Sequence, residues 1–95
     1  MDTMPSGYIA VKIFAKEHPD WLDVVRACYD EAAETEQFAG TWVFLRLGRW
    51  FPSLRTLAGS GILEKVRTTQ GGRRAYYQMP DREGVGKALH ELGML

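Results

Sequence analysis

Pro52 to Met79 read PSLRTLAGSGILEKVRTTQGGRRAYYQM, and the architecture of the chain follows from how these residues are parsed. Pro52 suits the first turn of a helix, because its fixed φ is helical and its missing N–H would have been unpaired there. Leu54, Leu57 and Ala58 give that short helix an inner face, while Ser53, Arg55 and Thr56 point elsewhere. Gly59, Ser60 and Gly61 close it. Ile62 to Thr69 is rich in β-branched residues and alternates in character, and Ala75 to Met79 is a second strand-like run. Between them lies Gln70-Gly71-Gly72-Arg73, where two glycines supply the positive φ that a tight turn demands. The stretch therefore predicts a short helix followed by a β-hairpin with a basic tip.

Upstream, Phe38, Ala39, Trp42, Val43, Leu45 and Leu47 predict a helix capped by Thr35. Only Gly40 and Arg46 interrupt its apolar surface, so it is expected to be buried on most sides. Gly48 is its natural stop. Trp21, Val24, Val25, Cys28, Tyr29 and Ala32 recur at spacings of three and four and predict a helix to about Glu34, with Asp20 and Asp23 at its positive end. Pro19 ends an earlier apolar stretch, Tyr8, Ile9, Val11, Ile13 and Phe14. Periodicity leaves that stretch open between helix and strand, with helix the expectation. Downstream, Pro80-Asp81 breaks the second strand, Asp81 can cap, and Val85, Ala88, Leu89 and Leu92 predict a last amphipathic helix.

Composition narrows the class. A chain of 95 residues with 45% hydrophobic content and three Trp, four Tyr and four Phe supports one core and excludes disorder for most of its length. The longest apolar runs are four residues, Tyr8 to Val11 and Trp42 to Leu45, far short of a membrane span. Cys28 is the single cysteine, so neither an internal disulfide nor a thiolate zinc site is available, which fits a cytoplasmic protein. Net charge is zero but unevenly distributed. Met1 to Leu45 carries three basic against eight acidic residues, a balance of minus five; Arg46 to Leu95 carries nine against four, a balance of plus five.

The spacing Leu54-x-x-Leu57-x-x-x-Gly61-Ile62-Leu63, followed by a Gly-Arg-tipped hairpin ending Tyr76-Tyr77, resembles the winged helix-turn-helix domains of small bacterial and archaeal transcription regulators. The ArsR-like and PadR/MarR-like groups are closest in character, and the resemblance covers Phe38 to Leu92. It implies an α+β fold, a winged helix with a three-helix core and a two-stranded β-hairpin wing. To these the chain adds an N-terminal helical extension and a C-terminal helix. Residues 1–95 form a single domain, with the extension and first helix in 1–35, the helix-turn-helix and wing in 36–80, and the last helix in 81–95. The resemblance further implies a recognition helix from Pro52 to Ala58 entering a DNA major groove and a wing from Lys65 to Tyr76 touching backbone or minor groove.

Elementary electrostatics points the same way. Duplex affinity is largely phosphate neutralisation, so a binder of this size presents several Lys or Arg on one face with short hydroxyl side chains among them. Arg49, Ser53, Arg55, Thr56, Arg67, Thr69, Arg73 and Arg74 could form that face. Arg55, with Arg49, is placed to read guanine edges, whereas Ser53 and Thr56 suit phosphates. Taken singly, each arginine is better explained as a solvated surface charge, except that for Arg73 and Arg74 at the hairpin tip the two readings balance. A homodimer over two half-sites is expected, with Trp21, Val25 and Cys28 or Val85, Leu89 and Leu92 as its surfaces. The second reading is a protein-interaction module without DNA binding, in which the acidic N-terminal face and the Trp50-Phe51 region contact a protein partner and the basic wing is incidental.

No residue set favours an enzyme, a metal or a cofactor. His18 and His90 are tied by spacing neither to each other nor to Cys28. Asp23, Asp30, Glu31 and Glu34 read as a wet helix face, and no Ser-His-Asp or Cys-His arrangement can be defended.

Overall fold

A computed structural model describes residues 7–48, 54–69, 71 and 74–95. The chain runs α1 (Gly7–Glu17), a 3₁₀ turn (Pro19–Trp21), α2 (Leu22–Glu34), β1 (Phe38–Ala39) and α3 (Gly40–Leu47), then α4 (Arg55–Gly59), β2 (Glu64–Thr69), β3 (Arg74–Gln78) and α5 (Arg82–Glu91). The fold is α+β, with five α-helices and one three-stranded antiparallel sheet among the described residues. The sheet order is β1-β3-β2, so the return strand of the hairpin lies in the middle. Phe38 stands opposite Tyr77 and Ala39 opposite Tyr76, and these two rungs join the hairpin to the helical part of the chain.

The first apolar stretch is a helix, α1, and its packing on α5 depends on one carboxylate. Asp81 caps α5 by accepting from the Gly84 N–H through Oδ1 at 3.1 Å, and it accepts from the Gly7 N–H through Oδ2 at 2.7 Å. The positive ends of two helices 74 positions apart thus converge on a single anion. Their approach requires glycine at Gly7, where a Cβ would come within 2.6 Å of Val85 Cγ2 and 2.8 Å of the Asp81 carbonyl. Further along, Glu91 of α5 accepts from the Tyr8 hydroxyl at 2.7 Å and from Lys12 Nζ at 3.1 Å. Arg82 ties the same helix to α2, donating from Nε to the Tyr29 carbonyl at 3.0 Å and lying over the Tyr29 ring at 3.9 Å.

The core is built where these elements meet. Val11 and Phe14 of α1, Val24, Val25 and Cys28 of α2, Phe38, Val43, Leu54, Leu57, Tyr77, and Val85 and Leu89 of α5 are all buried. Burial first, and Glu31 second, push the Cys28 thiol well above its ordinary range, so this cysteine is an inert core residue. Val25, Cys28, Val85 and Leu89 were the apolar side chains expected to pair two copies. Each is fully enclosed within one chain, whereas Trp21 and Leu92, the other two side chains of those surfaces, are half-buried.

Two local expectations are also corrected. Thr35 does not cap the following helix. It ends α2, with its N–H and hydroxyl both donating to the Glu31 carbonyl. Phe38 and Ala39 are not helical either, because their backbone pairs with β3, and α3 starts at Gly40. Within α3 only Val43 is fully buried, while Phe44 and Leu45 are exposed, Leu45 at 71%. The helix has one buried side where its composition suggested several. Arg46 turns back to α2, donating from Nε to the largely buried Glu31 at 2.9 Å and from Nη2 to Glu34 at 2.6 Å. Gly48 ends α3 in the left-handed conformation at φ 79°, as its position after the helix suggested.

Leu57 anchors α4. Its side chain is fully buried, and its carbonyl accepts from Ser60, Ile62 and Leu63 as the chain turns into β2. Leu57→Ala is expected to cost about 2–5 kcal/mol in denaturant unfolding, the usual range for an enclosed leucine; a loss below about 1 kcal/mol would contradict this placement. The α1–α5 contact carries a pH signature. Hydrogen bonds from Tyr8 and then Lys12 hold the Glu91 carboxyl below its ordinary 4.5. Its contribution is therefore complete above 4.5 and is lost as pH falls through the lower folded value. The hydrogen bond with Glu91 also raises Tyr8 and Lys12 above 10.0 and 10.5, so their contribution is lost as pH rises through the raised values. The gap in melting temperature between the native chain and Glu91→Gln should close on acidification.

Candidate nucleic-acid interface

The hairpin is shaped by a β-bulge. Lys65 stands opposite Tyr77 and Arg67 opposite Tyr76, leaving Val66 as the extra residue in β2. Without it, strict alternation would set Arg67 on the same face as the buried Tyr77. With it, Arg67 crosses to the other face. Thr69 pairs with Arg74 two positions on, so Arg67, Thr69, Arg74 and Tyr76 share the face turned away from the core. Arg67 is exposed, and Thr69 and Arg74 are half-buried. At the tip Gly71 takes φ 66°, the left-handed conformation expected of this turn.

On α4, Arg55 and Thr56 are exposed while Leu54 and Leu57 face the core. The Thr56 carbonyl accepts from the Ser60 hydroxyl at 2.9 Å and the Ser60 N–H at 3.2 Å, which closes the helix after five residues. Four residues separate α4 from β2, and Gly61 makes the turn at φ 86°. Of the eight residues expected to contact DNA, Arg67, Thr69 and Arg74 thus lie together on the hairpin, and Arg55 and Thr56 lie on the adjoining helix. Arg49, Ser53 and Arg73 lie outside the described residues, as do Trp50 and Phe51, the expected protein-contact pair.

Arg67 has partners that its sequence position did not foretell. Its Nε donates to Gln37 Oε1 at 3.0 Å, and its guanidinium lies over the Tyr76 ring at 4.1 Å. Trp42 of α3 meets the same ring edge-on, with centroids 5.9 Å apart. Gln37, Trp42 and Tyr76 thus join the outward face, a group that only the β1–β3 pairing could have revealed. Lys65 is exposed on the outer strand, and Glu64 beside it accepts from Gln78 Nε2 at 2.6 Å.

Elsewhere an open groove of about 250 Å³ lies between α2, α3 and the C-terminal residues, lined by Asp23, Arg26, Asp30, Arg46, Leu47 and Met94 among others. Arg46 is held there by Glu31 and Glu34, and Arg26 lies 3.8 Å from Asp30. Among the described residues no three His, Cys, Asp or Glu side chains converge as a metal site, and no helix is long and apolar enough to cross a membrane. No protein-family model, curated protein or solved structure matches this chain.

If Tyr76 is the shared support of Trp42 and Arg67, then Tyr76→Ala should destabilise the chain by about 1–2 kcal/mol, from the aromatic pair and the cation–π contact together. Tyr76→Phe should be nearly neutral, and chemical denaturation of both variants checks the pair.

Proposed function

We propose that this chain is a non-enzymatic, winged-helix DNA-binding protein, a cytoplasmic transcription regulator that contacts duplex DNA through α4 and the β2–β3 wing. The observation that carries the reading is the sheet order. A short strand between the first two helices of a three-helix core, α2 and α3, pairs with the return strand of a hairpin that follows the third, α4. In this reading α4 is the recognition helix and the hairpin is the wing. The electropositive half of the chain supplies both elements. Arg74 and Thr69 on the outward wing face and Arg55 and Thr56 on α4 are the groups offered to phosphate and base edges. With five residues, α4 is about 7.5 Å long, so the wing contributes a large share of the contact.

A second reading, a winged-helix protein-interaction module, is favoured by one observation: Phe44 and Leu45 lie exposed side by side on α3. Fluorescence anisotropy of a labelled mixed-sequence duplex, titrated at low and moderate salt, separates the two. The DNA reading predicts micromolar or tighter binding that weakens steeply with salt. Arg74→Ala should lower the slope of log affinity against log salt by about one. Absence of binding at low salt would overturn the DNA reading in favour of the protein module.

A further inference from the structure

Among the described residues, Arg67 is the wing arginine whose side chain is engaged by two different parts of the fold. Its Nε–H goes to Gln37, which precedes β1, and its guanidinium lies over the ring of Tyr76 of the middle strand, which also meets Trp42 of α3. A single side chain of the outer strand therefore spans the sheet and reaches the helical body. The backbone connection it supplements is slight, because β1 contributes only the rungs Phe38–Tyr77 and Ala39–Tyr76. An isolated two-stranded hairpin is marginal in water, so a wing held by two rungs depends on side-chain contacts for its orientation. The bulge at Val66 has the effect of bringing Arg67 to this face.

We propose that Arg67 is a positioning residue of the wing, a brace between β2, Tyr76 and the Gln37–Trp42 region, and not a phosphate ligand. Its effect on duplex affinity rests on the DNA-binding reading above; its effect on the hairpin does not. The brace requires a planar guanidinium, which stacks and donates from Nε at once, and a lysine ammonium reproduces the charge but not that geometry. A phosphate ligand would tolerate the lysine far better.

The deciding experiment compares the native chain with Arg67→Lys, Arg67→Ala and Arg74→Ala by two readouts. In anisotropy titrations against a mixed-sequence duplex over a range of salt, Arg67→Lys and Arg67→Ala should both lose about threefold or more in affinity, with the native salt slope retained. Arg74→Ala should instead lower the slope by about one. In amide hydrogen exchange without DNA, both Arg67 variants should speed exchange across β2 and β3 while the α1 and α5 amides keep native rates. Native-like binding by Arg67→Lys together with a slope reduced by about one in Arg67→Ala would overturn the proposal, because that is the behaviour of a phosphate ligand. Unchanged hairpin exchange in both variants would overturn it as well. Should the native chain itself fail to bind duplex at low salt, the DNA reading falls alone and the exchange rates still decide the brace.

Discussion

Everything distinctive about this molecule hangs on a two-residue strand. Phe38 and Ala39 pair with Tyr77 and Tyr76, and through those rungs a hairpin that would otherwise project as a loose arm becomes the middle and one edge of a three-stranded sheet. The pairing also sorts the two tyrosines. Tyr77 enters the core beside Phe38, and Tyr76 turns outward to meet Trp42 and Arg67. One strand thus secures the buried side of the hairpin with apolar contacts and the open side with an aromatic and cationic stack.

The rest of the chain supports that arrangement from behind. The helices α1 and α5 share Asp81 at their N-termini and Glu91 further along, and Val24, Val25 and Cys28 of α2 join the same core. Placing two helix N-termini side by side sets like partial charges together, and the shared carboxylate offsets that repulsion. The division of charge follows from this plan. The acidic residues of the first half largely decorate α2 and its flanks, where Arg46 gathers Glu31 and Glu34, and the basic excess of the second half is left to α4 and the hairpin.

Much of this was legible in the sequence where local chemistry dictates conformation. Gly48 and Gly71 take the positive φ that their positions demanded, and Asp81 caps as a residue after a strand-breaking proline should. What stayed hidden was decided by tertiary contact. Phe38, Ala39 and Trp42 recur at helical spacing, so their pattern cannot show that the first two pair as a strand; two residues carry no alternation. Amphipathicity does not say which neighbour covers an apolar face, so the sequence could not show that Val25, Cys28, Val85 and Leu89 are enclosed within one chain. Nor does α3's composition reveal that only Val43 is enclosed. For the candidate site, the basic hairpin was visible, but the face on which Arg67 emerges was not. A bulge is a one-residue change of register that inverts every side chain beyond it, and EKVRTT gives no signal of where it falls.

The proposed DNA-binding role requires α4 and the outward face of the hairpin to meet the duplex together. The most direct test is an NMR titration of the isotopically labelled chain with a short mixed-sequence duplex at low salt, following every backbone amide. Shifts are expected to concentrate at Arg55 and Thr56 of α4 and at Thr69 and Arg74 of the hairpin, with the α1–α5 side unmoved. Shifts concentrated on α1 and α5, or none at saturating duplex, would contradict it.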